Sequence, residues 1–136
     1  MSLIRLIDFN LWGDERGSLV AVEGGKSVPF DIKRAYYLFG TGENVARGFH
    51  AHKNLIQVAV PVAGRCRFVL DDGVVKSEVL LDSPTKGLVI EKMIWHEMYD
   101  FSQNCVLLVL ASDHYDESDY IRNYDNFLSC ARDVRQ

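Results

Sequence analysis

Cysteine, proline and basic charge are scarce in this chain, and each scarcity closes off a class of protein. The three cysteines, Cys66, Cys105 and Cys130, are odd in number and widely spaced, with no CxxC pair. That excludes a cysteine zinc site and a disulfide framework, and it fits reduced thiols in the cytoplasm. Lys and Arg total 15 against 19 Asp and Glu, for a formal charge of -4. Nucleic acid is therefore not an expected partner, because phosphate contacts call for a basic face. No apolar run approaches the ~20 residues that span a bilayer, so no membrane partner is expected either. Residues 1–16 carry no positive start, apolar block and small-residue cleavage site of a signal peptide, and a cytoplasmic location is the expectation. Only 3 prolines, with 48% apolar and 25% charged residues, exclude a fibrous or disordered chain. At 15.5 kDa there is room for one hydrophobic core, so residues 1–136 read as a single domain.

What is present is a succession of short apolar runs closed by turn signals. Strands are expected over Ser18–Val22, Lys33–Phe39, Gly48–Val62, Arg65–Leu70, Val74–Leu81, Gly87–Met93 and Cys105–Leu110. Asp71-Asp72-Gly73 has the composition of a hairpin turn needing positive φ at its glycine. Helical spacing is confined to the tail, from about Glu117 to Arg132, where Tyr120, Tyr124, Phe127 and Leu128 recur three or four apart. This pattern predicts an all-β fold, an antiparallel barrel or sandwich with a short C-terminal helical segment. Its open mouth is the natural place for chemistry.

The densest group of reactive side chains is Arg47-Gly48-Phe49-His50-Ala51-His52-Lys53. On a strand, His50 and His52 project to the same side, roughly 7 Å apart. Such a pair is open to three readings: half of a metal site, an acid–base pair, or polar residues satisfied within a sheet. Strict alternation puts Arg47 on the opposite face from His50, unless Gly48 permits a bulge that reverses it. His50-x-His52 followed by Gly64 resembles the first motif of the cupin barrels, but Gln57 stands where that motif carries a glutamate. Gln57 offers a neutral carbonyl oxygen and no charge, which weakens the metal reading. The second cupin motif is present only loosely at Pro84 and Gly87, and His96 follows at the wrong spacing for a ligand. No metal and no cofactor are expected.

Several separated segments resemble something more specific. Arg47–Lys53, Asp71-Asp72-Gly73, Trp95-His96-Glu97-Met98-Tyr99-Asp100-Phe101-Ser102, Leu110–Asp113 and Tyr115–Arg122 are similar to the sugar-nucleotide 3,4-ketoisomerases. These are small metal-independent cupins with a jelly-roll barrel. The resemblance runs from Arg16-Gly17-Ser18-Leu19 to about Phe127. It implies conversion of dTDP-4-keto-6-deoxyglucose to a dTDP-linked 3-keto-6-deoxyhexose, on a route to surface polysaccharide such as O-antigen or S-layer glycan. It also implies a homodimer with exchanged N-terminal strands.

Within that reaction His50 and His52 are expected to be the acid–base pair, with His52 nearer the reacting carbons. Family members differ at the positions of Arg16 and His96. The combination found here implies proton delivery at C4 to give the galacto-configured product, with His96 as donor. Tyr36 and Tyr37 point to opposite sides of their strand, and Tyr37 is taken as the phenol lining the barrel. Substrate contacts are expected from Arg47, from Gln57, from Arg65 and Arg67 as a phosphate clamp, from Lys53, and from Trp95 as a ledge for the base. Competing readings are a sugar-nucleotide 3,5-epimerase and a non-catalytic sugar-nucleotide-binding cupin.

Overall fold

The structure, a computed structural model, describes residues 2–135, with side chains to residue 134. The first half of the chain forms β1 (Leu6–Asp8), β2 (Trp12–Asp14), β3 (Gly17–Leu19), β4 (Arg34–Phe39), β5 (Arg47–His52) and β6 (Gln57–Ala63). The second half forms β7 (Cys66–Asp71), β8 (Lys76–Leu81), β9 (Lys86–Ile90), β10 (Trp95–Tyr99), β11 (Val106–Ala111), β12 (Tyr120–Ile121) and α1 (Tyr124–Arg135). Two antiparallel five-stranded sheets, ordered β1-β9-β6-β11-β4 and β12-β5-β10-β7-β8, make a cupin-type jelly roll. The hairpin β2–β3 is a separate two-stranded unit.

The two sheets meet in one core, where Ala59, Leu88 and Leu107 pack against Phe68, Leu70 and Met98. A second cluster covers the outer face of the first sheet, with Val58, Val60 and Leu110 packed under Phe9 and Val28. Strand β6 is thus buried on both faces. Val58 and Val60 point outward, while Gln57 and Ala59 face in. The small side chain of Ala59 leaves space inside the barrel. A third cluster, Trp95, Ala51, Ile121, Phe127 and Ala131, fixes α1 to the outer face of the second sheet.

Two expectations about elements are corrected. The span Gly48–Val62 is two strands, because the turn after His52 is pinned by Asp119, whose carboxylate accepts the Asn54 N–H at 2.9 Å and the Leu55 N–H at 3.3 Å. The tail helix starts at Tyr124 rather than near Glu117. Residues Glu117–Asp119 form a 3-10 turn capped by Asp116, and β12 pairs with β5 through Tyr120 opposite His52.

The bulge anticipated at Gly48 is present. His96 pairs with His50 and Glu97 with Gly48, so Phe49 has no partner across the ladder. Gly48 takes φ 91° and Phe49 φ 61°. The extra residue turns Arg47 to the same interior as His50. A Cβ at position 48 would lie 2.8 Å from the His96 carbonyl oxygen. Gly48→Ala is therefore expected to cost about 1–3 kcal/mol and to lower turnover by withdrawing Arg47. Thermal melts and a substrate assay check this; an unchanged melt would contradict the strained geometry.

Candidate active site

A cavity of about 450 Å³ opens inside the barrel, and its walls include Tyr36, Arg47, His50, Gln57, His96 and Arg122. Strands β4, β5, β6 and β10 supply most of these residues, all from inward positions. Arg122 follows β12 and enters from the rim.

Three imidazoles cluster here. The rings of His50 and His96 lie 4.4 Å apart, those of His50 and His52 5.0 Å, and those of His52 and His96 6.1 Å. His50 and His96 line the cavity, whereas His52 is buried behind them at 2% exposure. Of the pair, the bulge brings His50 and not His52 to the cavity wall. His50 Nδ1 stands 3.1 Å from the Gly48 carbonyl oxygen. A carbonyl can only accept, so Nδ1 carries the proton and Nε2 is the basic nitrogen.

All three rings are held neutral at pH 7. Burial pushes the His50 pKa down, opposed by the Gly48 carbonyl. His52 is lowered to about 4, by burial first and by His50 second, with Asp119 pulling the other way. His96 lies well below the ordinary histidine value, through burial and then through its two histidine neighbours. A neutral imidazole is the form that can take a proton from carbon.

These shifts fix the acid response of stability. In the unfolded chain the histidines take protons near pH 6.5, whereas folded His52 resists protonation until about pH 4. The contribution of these groups to stability is thus flat above about pH 7 and falls as pH drops from 6.5 toward 4. Melts of the wild type and of His52→Gln across pH 7.5 to 4.5 check this. The variant should lose part of the acid slope, and an unchanged slope would contradict the assignment.

Tyr36 completes the interior, and its role corrects the expectation for Tyr37. Its hydroxyl donates to Gln57 Oε1 at 2.5 Å. Burial, with a smaller contribution from Tyr120, pushes its pKa up to about 12, against the pull of Arg34 and Arg47. It therefore stays a protonated donor beside the histidines. Tyr37 is 63% exposed, on the outer face with Phe39, and only edges the cavity. Sequence reasoning also missed Arg122, which sits over the Tyr120 ring at 4.2 Å and is held by Glu117 through bonds of 2.9 and 3.0 Å. Its position after β12 carried no periodic signal.

Five other expected site residues lie elsewhere. Trp95 is packed under α1 against Tyr124 and Phe127, because neighbouring His96 takes the inward side of β10. Arg67 is on the outer face, paired with Glu78 and Asp100, since Cys66 and Phe68 fill the inside. Arg65 is exposed in a shallow groove with Glu43 and Asp100. Lys53 is exposed on the turn after β5. Arg16 belongs to the β2–β3 hairpin, where it pairs with Asp14, and no hairpin residue lines the cavity of its own chain.

The nitrogens of the three histidines lie within 4.8 Å of one another. A tetrahedral zinc would draw its nitrogen ligands to about 3.4 Å apart. The remaining cupin ligand position is Gln57, whose carbonyl oxygen is already engaged by Tyr36. This donor set fits proton transfer better than metal coordination.

The comparisons with known proteins agree with this geometry. The family model described as FdtA: WxcM-like, C-terminal, matches residues 2–132. The TDP-4-oxo-6-deoxy-alpha-D-glucose-3,4-oxoisomerase of Aneurinibacillus thermoaerophilus is 57% identical over 123 residues, covering 90% of this chain and 88% of that protein. A histidine-to-asparagine variant of the 3,4-ketoisomerase QdtA from Thermoanaerobacterium thermosaccharolyticum, in complex with TDP-4-keto-6-deoxyglucose, is 42% identical with a TM-score of 0.94. That match covers 96% of this chain and 94% of QdtA. A double variant of QdtA, with tyrosine changed to arginine and arginine to histidine, matches at 44% identity and a TM-score of 0.94, over 96% and 95% of the two chains. The Campylobacter jejuni TDP-quinovose 3,4-ketoisomerase is 48% identical with a TM-score of 0.90, over 95% of this chain and 99% of the other. With a family match over nearly its whole length and a cavity built around paired histidines, this chain belongs to the TDP-sugar 3,4-ketoisomerases.

Proposed function

We propose that the enzyme converts TDP-4-keto-6-deoxyglucose to the 3-keto sugar of galacto configuration, by histidine-mediated proton transfer through an enediolate. The observation that carries this is the His50 ring, held by the Gly48 carbonyl so that Nε2 is the free base, with His96 4.4 Å away. The C3 hydrogen is acidic because it is alpha to the C4 ketone. His50 removes it, and the electron pair forms the C3–C4 enediolate. Return of a proton to C4, with the O3 hydroxyl giving up its proton and O4 taking one, leaves the ketone at C3, so oxidation state is conserved within the molecule and no cofactor is required. Tyr36, whose O–H rests on Gln57 Oε1 in the free enzyme, turns that one donor to the developing oxyanion when the sugar is bound. Arg47 and Arg122 bring two positive charges to the cavity and suit the diphosphate.

The stereochemical part rests on Arg16 and His96. The QdtA double variant introduces the same two residue types, arginine for tyrosine and histidine for arginine. A donor of different reach over one face of the enediolate changes the face that is protonated. A second reading, the gluco product, is favoured by the 48% identity to a TDP-quinovose enzyme.

The functional unit in our reading is a homodimer in which the hairpins are exchanged. Trp12 on the hairpin and Phe39 on the outer face of β4 are 63% and 69% exposed, and Leu11, Leu19 and Tyr37 extend both apolar surfaces. Strand β4 is also a sheet edge. An apolar arm and an apolar edge of this kind are complementary between two copies. Strand β1 pairs with β9 of its own chain, so the exchanged element is β2–β3. The three free thiols support a reducing, cytoplasmic setting.

Proton NMR of the enzyme with TDP-4-keto-6-deoxyglucose in D2O tests the reaction. Expected are loss of the C3 proton signal, a 3-keto product and deuterium at C4 with galacto configuration. A gluco product would favour the second reading. Exchange at C3 and C5 with the ketone still at C4 would make it a 3,5-epimerase, and binding without change a sugar-nucleotide-binding module.

A further inference from the structure

His52 is the histidine that the substrate cavity does not explain. It is buried, Nε2 has no hydrogen-bond partner among the described residues, and Nδ1 makes no well-formed hydrogen bond but has the Asp119 carboxylate 3.3 Å away. Buried polar atoms left without a protein partner are, as a rule, satisfied by water. Room for that water exists. A second chamber of about 100 Å³ is lined by His52, Asp119, Arg34, Asn54 and Ser112, and it shares only Tyr120 with the substrate cavity. Arg34 Nε, on the same chamber, is a further buried donor without a partner. These volumes and orphan atoms suit a few ordered waters and no larger ligand.

Asp119 is built into the chamber wall. Its main-chain carbonyl accepts the Lys53 N–H at 3.0 Å, and its carboxylate accepts the next two amides, those of Asn54 and Leu55. The turn that leaves His52 is thereby fastened to the carboxylate. Oδ2 stands 3.3 Å from His52 Nδ1. An acceptor there favours the tautomer with the proton on Nδ1, leaving Nε2 as a lone pair.

Building on the ketoisomerase mechanism above, we propose that this chamber is a solvent port for protons: Asp119 positions His52, and water in the chamber exchanges the proton that His50 takes from the sugar. When the C3–H bond breaks, the electron pair stays in the enediolate and the proton goes to His50 Nε2. It then passes to His52 through one bridging water, because the ring nitrogens lie within 4.8 Å of each other but His52 Nε2 has no direct hydrogen-bond partner among the described residues. His52 releases its Nδ1 proton to chamber water, and the reverse path supplies the proton that C4 receives. One proton leaves and one returns. Asp119 acts through His52 and touches no substrate.

The test uses C3-deuterated TDP-4-keto-6-deoxyglucose in ordinary water, with deuterium at product C4 read by NMR or mass spectrometry. Wild type is expected to retain little deuterium, about a tenth or less. In Asp119→Asn an amide donor can face Nδ1, and in Asn54→Leu an apolar side chain displaces chamber water while the backbone amide bonds to Asp119 remain. Both should raise retention at least about fivefold and slow turnover about tenfold. Nitrogen-15 histidine spectra should show His52 switching tautomer in Asp119→Asn and not in Asn54→Leu. High retention in wild type, or unchanged retention in both variants, would overturn the port. An unaltered tautomer in Asp119→Asn would overturn the positioning role. If wild type did not isomerise the sugar at all, the ketoisomerase mechanism would fail, while the tautomer spectra would still decide the part played by Asp119.

Discussion

His50→Asn is expected to lower turnover by about 10³-fold or more while substrate affinity changes less than about threefold. The expectation follows from what the residue can and cannot do in its place. Its Nδ1 is committed to the Gly48 carbonyl, so the ring offers a single basic nitrogen to the cavity. Asparagine keeps a donor that can reach the same carbonyl and supplies no base in the working pH range. Binding should survive because, in our reading, the nucleotide is gripped by Arg47 and Arg122, which line the cavity, rather than by a neutral ring. Replacing His52 should cost less, since it does not line the cavity. Single-turnover rates and calorimetric titration with the substrate separate the two quantities. Parallel losses in rate and affinity would instead make His50 a binding residue, and a milder effect than that of His52→Asn would return the base to His52. The wild-type rate should rise with pH below 6.5 and level off near neutrality, because His50 loses its proton below the ordinary histidine value.

The legible parts of the site were those set by local geometry. Period two in a strand is enough to put His50 and His52 on one side, and a glycine beside them is enough to raise a bulge, which Gly48 and Phe49 form with φ of 91° and 61°. Gln57 in place of a carboxylate was equally readable. The failures share a physical cause: alternation assigns two faces without saying which is inside. On β4 the outward residues Tyr37 and Phe39 are as apolar as the inward Tyr36 and Leu38, so composition could not rank them. In our reading that is because the outer face is covered by a second copy. Arg65 and Arg67 were correctly placed on one face, which proved to be the solvated one once Phe68 filled the interior. Trp95 was misjudged because α1 supplies an apolar lid on the far side of β10, a contact with no local signature. The tail lost its first expected helical turn to a long-range demand. Asp119 and Tyr120 are needed at the end of β5, and a helix starting at Glu117 would have carried them away.

Arg16 provides the sharpest test of the assembly, because its own chain gives it nothing to act on. The guanidinium is 85% exposed and, among the described residues, bound only to Asp14, two residues back. An exposed pair of this kind is worth little, so an incoming oxyanion can replace the carboxylate easily. If the hairpin crosses to the neighbouring subunit, each site takes His50 from one chain and Arg16 from the other. Arg16→Ala homodimers should then be slowed about 10²-fold, comparable to loss of an oxyanion donor, and His50→Asn homodimers more severely. Mixing the two inactive variants under conditions that exchange subunits gives heterodimers in which one site has lost both residues and the other has lost neither. With random exchange, half of the dimers are mixed, and activity should recover to about a quarter of wild type. An enzyme whose sites were each complete within one chain would recover nothing, since every chain in the mixture lacks one of the two groups. Recovery would also make the product's C4 configuration a property of the dimer: the histidine beside the enediolate and the arginine over it would come from different subunits.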